Sequence, residues 1–177
     1  MTLTRLTLAA VTLGALTVTA CATMQVNSYV ERGADVTRYR TYQWAPAGPQ
    51  AIGDPRLDNN EFFRDRIQAQ VDRRLGERGF EIAASTPDLL VQYHASVAQE
   101  INANGVDQPN TDCEECEPYV FDAGTIVVSL VDARTSRLVW RGWAEGSIDD
   151  AIDNQTFMER RIDEAVARIM EQLPRRL

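Results

Sequence analysis

The densest chemistry in this chain is a six-residue run, Asp112-Cys113-Glu114-Glu115-Cys116-Glu117, which sets four carboxylates around two thiols. Several chemistries suit it. A disulfide would close the short loop between Cys113 and Cys116. Zinc would take both thiolates but prefers four ligands, so His94 or carboxylates would have to complete the set. A redox dithiol needs a lowered thiol pKa, commonly supplied by a helix N-terminus, and flanking acids work in the opposite direction. Free thiols complete the readings. His94 is the only histidine in the chain. It reads as a residue on the polar side of a strand, or as a base or ligand. Ser96 lies on the same side about 7 Å further along, beyond hydrogen-bond reach. The chain has no G-x-S-x-G elbow and no glycine-rich phosphate loop. The acidic pairs sit in polar segments, where nothing separates their pKa values. No catalytic constellation emerges, and no enzyme activity is expected.

The third cysteine, Cys21, has a different setting. Met1–Arg5 carries one positive charge, and Leu6–Val18 is an apolar, Thr-rich stretch of 13 residues. As helix it would cover about 20 Å, short of a hydrocarbon core of about 30 Å. The pattern reads as a secretion signal, residues 1–20, rather than a membrane span. Val18-Thr19-Ala20-Cys21 resembles a bacterial lipobox. That resemblance implies diacylglycerol on the Cys21 thiol, cleavage before it and a fatty acyl chain on the new amino group. Two or more chains hold a protein on a bilayer durably. Ala22 rather than Asp follows, which in proteobacterial lipoproteins implies sorting to the periplasmic side of the outer membrane. With Cys21 used for lipid, Cys113 and Cys116 remain, an even number in an oxidising compartment.

Composition narrows the partners. The chain has 177 residues, 44% hydrophobic and 25% charged, enough for one domain with a proper core, residues 21–177. All 18 basic residues are arginine, and the net charge is -8. That balance argues against nucleic acid and against electrostatic docking on anionic lipid, so attachment to a membrane must be hydrophobic or covalent.

These residues need elements to position them. Met24–Gly33 and Tyr39–Ala45 suit strands, with Tyr42 and Trp44 on one face and in the core. Three prolines and two glycines mark residues 45–58 as a loop. Asp58-Asn59-Asn60-Glu61 offers capping side chains, with Glu61 three residues after Asp58. Phe63, Ile67, Val71 and Leu75 then form one helical stripe, and Gly79 stops it. Arg64, Asp65, Asp72 and Arg73 read as its solvated side. Phe80–Ile82 reads as a short extension. Leu89–Val97 alternates between apolar and polar, which predicts a sheet with one wet face and mostly antiparallel strands. The 21 residues Gln99–Tyr119 show no periodicity and read as a long loop that is functional or mobile. Thr125–Val131 and Leu138–Ile148 form a hairpin, whose Gly142 and Gly146 mark close approach of a helix or a bulge. Trp143 alternates with Arg141 and Glu145 on the outer face, as a stacked Trp–Arg pair or an aromatic strip for a partner. A last helix opens at Asp153-Asn154 and carries Ile162, Ala165, Val166, Ile169 and Leu173. The sum is an α+β, two-layer sandwich: a mostly antiparallel sheet of about five strands with two helices packed on one face.

The chain resembles the bacterial lipoprotein family known as domain of unknown function 4136. The pieces that carry the likeness are Tyr39-Arg40-Thr41-Tyr42-Gln43-Trp44, Pro87-Asp88-Leu89-Leu90-Val91-Gln92-Tyr93, Gly124-Thr125-Ile126-Val127-Val128, Asp132 and Leu138-Val139-Trp140-Arg141-Gly142. The resemblance implies a small envelope domain and transfers no activity and no catalytic residues. The expected role is non-catalytic binding or assembly on the outer membrane. The only attached groups expected are the diacylglycerol and fatty acyl chain on Cys21, with no other cofactor. The partner is an unidentified envelope protein or polymer, met through the polar sheet face (His94, Arg141, Trp143) and the 99–119 loop. The other readings are a metal-binding or thiol redox protein using Cys113, Cys116 and His94, and a hydrolase of envelope polymers. For the Cys pair, the disulfide reading predicts an intact mass two hydrogens below the dithiol. Stoichiometric zinc that disappears with Cys113→Ser would establish the metal reading instead.

Overall fold

The structure, a computed structural model, describes residues 24–46, 57, 60–102, 119–149, 151 and 154–175. Its strands are β1 (Gln25–Val30), β2 (Thr41–Trp44), β3 (Glu81–Ile82), β4 (Leu89–Asn102), β5 (Tyr119–Asp132) and β6 (Leu138–Ser147). Its helices are α1 (Glu61–Glu77) and α2 (Gln155–Glu171), and a 3-10 turn covers Val36–Arg38. The sheet has the order β1-β6-β5-β4-β2-β3. β1, β6, β5 and β4 are antiparallel neighbours, whereas β2 runs parallel to both β4 and β3. The α+β sandwich is as expected, with a sixth strand. β3 is only two residues long with both side chains exposed, so it leaves no alternation in the sequence. Phe80 just before it is buried and anchors it.

Both helices bury their stripes. Phe63, Ile67, Val71 and Leu75 of α1 are in the core, as are Ile162, Ala165, Val166, Ile169 and Met170 of α2. They cover one face of the sheet, where Leu89, Val91 and Ala95 of β4 meet Ile126, Val128 and Leu130 of β5. Asn60 caps α1, its side-chain oxygen accepting from Phe63 N–H at 3.2 Å, and Asn154 caps α2 through Phe157 N–H at 3.0 Å. Of the run Asp58-Asn59-Asn60-Glu61 that offered capping side chains, Asn60 is the α1 cap, and Asp58 and Asn59 lie outside the described residues. Gly79, at φ 75, ends α1. Gly79 N–H donates to Gly76 O and Phe80 N–H to Leu75 O, the paired bonds of a Schellman motif. Across the helices, the Arg66 guanidinium grips both carboxylate oxygens of Asp163. Arg78 donates to the Leu173 and Met170 carbonyls, capping the end of α2.

The 99–119 loop is shorter than the sequence led us to expect. β4 and β5 remain paired through Gln99↔Asp122, Glu100↔Phe121, Ile101↔Val120 and Asn102↔Tyr119. Backbone pairing does not need an apolar face. The helices do not cover these residues, so nothing there demanded alternation. Residues 103–118 lie outside the described residues.

A register shift at Leu130/Val131 places Leu130 opposite Trp140 and Val131 opposite Leu138. Val139 is the extra residue, which explains why both Val139 and Trp140 are buried. The Trp140 ring folds over Gly142. A Cβ on Gly142 would lie 2.6 Å from that ring and 2.8 Å from Ile169. The glycine thus marks close approach of an aromatic ring and a helix, and the bulge lies elsewhere. Gly142→Ala should destabilise the fold by about 1–3 kcal/mol through overpacking. It would show as a lowered urea midpoint with an unchanged slope.

Candidate functional site

Three surfaces hold the residues singled out by the sequence. The first is the helix-free face. His94 on β4 pairs with Val127 on β5, which pairs with Trp143 on β6, which pairs with Asn27 on β1. His94 and Trp143 share one row of the sheet, two strands or about 10 Å apart. Both are half-buried, and Arg141 is exposed in the next row. Arg141 Nε donates to the Ser129 hydroxyl at 3.0 Å. The expected Arg141–Trp143 stack is not formed. The cation–π contact among the described residues joins Arg160 to Phe157 at 5.3 Å. Trp143 and its neighbours therefore form a mixed polar–aromatic strip.

The second surface lies at the end of the sheet where β5 turns into β6. Asp132 is buried. Its Oδ1 accepts from the N–H groups of Arg134 (3.0 Å) and Thr135 (2.8 Å), and its Oδ2 accepts from the Tyr39 hydroxyl (3.0 Å). The bond from Thr135 N–H is the main cause that holds the Asp132 carboxyl below its ordinary range, burial opposes it, and the Tyr39 hydroxyl adds to the lowering. Burial first, and then the bond to Asp132, raises the Tyr39 phenol. The acid stays ionised and saturated while the phenol stays protonated, so the pair acts as a brace and offers no proton for transfer near neutral pH. Beside it, Asp88 Oδ2 accepts from the N–H groups of Arg40 (2.8 Å) and Thr41 (2.9 Å). Two adjoining recesses of about 190 and 330 Å³ share Arg38, Tyr39, Asp132 and Arg134. Sequence reading of chemistry missed this brace, although Tyr39, Asp88 and Asp132 all stand in the motif pieces quoted above.

The third surface lies at the opposite end of the sheet. Between the sheet and the helices is an apolar cavity of about 40 Å³ reached by Met24, Gly124, Gly146, Ile148 and Met158. Gly124 admits Ile148, since a Cβ there would lie 2.7 Å from the Ile148 side chain. Arg161 borders the cavity and donates to the Ser147 carbonyl at 3.0 Å.

Cys21, Cys113 and Cys116 lie outside the described residues. His94 pairs eight residues from the Asn102↔Tyr119 end of the ladder, about 27 Å along the strand. Among the described residues no three His, Cys, Asp or Glu side chains are grouped to hold a metal ion.

Two helices stacked on one face of a six-stranded mixed sheet define an α+β sandwich. The chain belongs to the family described as domain of unknown function (DUF4136), whose profile matches residues 26–175. No curated protein matches it. Among solved structures, it is similar to a PDZ domain protein from Parabacteroides distasonis at 14% identity and a TM-score of 0.55. That match covers 87% of this chain and 37% of the other, so the chain spans little more than a third of that protein's length. It is also similar to the PelC dodecamer from Paraburkholderia phytofirmans, at 9% identity and a TM-score of 0.48 over 88% of this chain and 100% of that one.

The Tyr39–Asp132 brace makes a signed prediction. A depressed acid stabilises the fold above its unfolded pKa of about 3.9, and that share is lost as pH falls through the folded value. Asp132→Asn should lower stability at neutral pH and flatten the loss that wild type shows below about pH 4. Tyr39→Phe removes a hydrogen bond to a charged acceptor and should cost about 1.5–3 kcal/mol. Urea unfolding across pH measures both.

Proposed function

We propose that the protein is a lipid-anchored protein of the bacterial envelope, on the periplasmic side of the outer membrane, with a non-catalytic binding or assembly role. The observation that carries this reading is Val18-Thr19-Ala20-Cys21 at the close of an apolar run too short to span a bilayer. Among the described residues, no helix is long and apolar enough to cross a membrane. Covalent lipid is the attachment that a chain of net charge -8 can use without a basic face.

The geometry supports binding over chemistry. Tyr39 and Asp132 brace the fold rather than exchange protons. The helix-free face carries Trp143, Arg141 and His94 on rigid central strands. Aromatic and arginine side chains are enriched among the residues that anchor interfaces. The partner inferred for this face is an envelope protein or polymer.

Cys21→Ser should move the protein from the membrane pellet to the soluble periplasmic fraction while the domain stays folded. A Cys21→Ser protein that still pellets with membranes after a high-salt wash would overturn the lipid-anchor reading.

A further inference from the structure

The sheet has two edges, and they are built differently. β3 closes one of them with two residues, Glu81–Ile82, too short to template a further strand. β1 forms the other with six, Gln25–Val30, paired to β6 without a register shift. An edge of that length is ordinarily blunted by charge, proline or a bulge. The sequence Gln25-Val26-Asn27-Ser28-Tyr29-Val30 has no charged residue and no proline. Among the described residues no strand lies beyond it, and Tyr29 and Val30 are 46% and 40% exposed.

The register fixes which backbone groups of β1 are already used. Glu31 N–H donates to the Val139 carbonyl at 3.0 Å, so Glu31 turns its main chain toward β6. Residues of an antiparallel strand alternate in this respect. Tyr29, Asn27 and Gln25 therefore also turn inward, opposite Arg141, Trp143 and Glu145. Val26, Ser28 and Val30 turn their N–H and C=O groups outward. That row is self-complementary in charge. A second β1 laid antiparallel about Ser28 sets Val26 against Val30, Ser28 against Ser28 and Val30 against Val26. Every outward N–H of both strands then meets an outward carbonyl.

The side chains agree with this register. Val26, Ser28 and Val30 pair with Ala144, Gly142 and Trp140 of β6, which lie on the helix-covered face. Across the two copies Val26 and Val30 would meet there as an apolar pair. On the other face Asn27 would meet Tyr29, and Gln25 would meet Glu31, so no like charges are opposed. The helices leave room. α2 rests mainly on β6, and the two β6 strands would stand three strand spacings apart, about 14 Å. Two helices about 10 Å across fit side by side at that distance.

We propose that β1 is a dimerisation edge, where two copies of this chain join antiparallel about Ser28 into one continuous sheet. The occupant is a second copy because the outward row matches itself in length and in the order of donors and acceptors. The contact is isologous, so it closes at two copies, and the short β3 offers no second edge for growth. The interface is small, so the dimer forms with rising concentration. Both helix-free faces stay open for a partner, and nothing in the pairing depends on lipid at Cys21.

The test is sedimentation equilibrium of the full-length protein in density-matched detergent over a dilution series. Ser28→Pro deletes the outward N–H at the two-fold axis and leaves the β1–β6 ladder intact, because an edge strand tolerates proline where its N–H faces outward. Ser28→Lys and Ser28→Glu each set like charges directly opposite across the axis. The expected result is a wild type that rises to twice the monomer mass and three variants that stay monomeric with wild-type circular dichroism. An equal mixture of the Ser28→Lys and Ser28→Glu proteins should recover the doubled mass. That recovery requires residue 28 of one copy beside residue 28 of the other, which a folding defect cannot imitate. A wild type that is monomeric at every concentration overturns the proposal. So does a dimer that survives Ser28→Pro, or a Lys–Glu mixture that stays monomeric.

Discussion

A mismatch of lengths governs this molecule. β4 and β5 are each 14 residues and stay paired from Leu89↔Asp132 to Asn102↔Tyr119. At strand rise that ladder is about 48 Å long. The helices that cover it have 17 residues each, about 25 Å. The core can therefore occupy only part of the ladder. Where the helices lie, the strands bury Leu89, Val91, Val128 and Leu130 completely. Where they do not, the same face carries Ile101 and Val120 in the open. The apolar cavity sits at the boundary, and Gly124 and Gly146 let Ile148, Arg161 and Met24 close in there.

The other end of the sheet solves a different problem. β2 has four residues and pairs in parallel with only three positions of β4, a weak ladder for a strand that must seat Tyr42 in the core. Three carboxylates add to its hold. Asp132 takes the Tyr39 hydroxyl, Asp88 takes the backbone of Arg40 and Thr41, and Asp72 of α1 takes both the Tyr42 hydroxyl (2.8 Å) and the Trp44 indole N–H (2.9 Å). Burial above all, then the bond to Asp72, raises the Tyr42 phenol, so it remains a donor. Trp44 also meets Tyr93 of β4 edge-to-face at 6.2 Å. Hydrogen bonds to charged acceptors are stronger than neutral ones. Those from Tyr39, Tyr42 and Trp44 also depend on the side chains themselves, unlike main-chain pairing.

Much of this was legible wherever burial imposes a period. The four-residue stripe of α1 and the alternation of Leu89–Val97 mark residues that are now core, because one covered face forces a repeat. The signal faded where nothing is covered. Gln99–Asn102 looks like loop because a ribbon beyond the helices has no face to keep dry. β3 was too short to show a period. Asp72 reads as solvated because its helix position says nothing of the Tyr42 and Trp44 donors that the fold brings from 30 and 28 residues away. The row of His94, Val127 and Trp143 needed the register of three strands, which alternation within any one strand does not supply. Arg141 was correctly set on the outer face, but its bond to Ser129 again depends on cross-strand register.

The central proposal is a folded body held on a membrane by acyl chains on Cys21. Neutron reflectometry of the full-length protein, purified from membranes and placed on a floating bilayer, tests this most directly. The proposal predicts a protein layer that stays at the headgroup surface through a high-salt rinse. Loss of that layer on rinsing would contradict it.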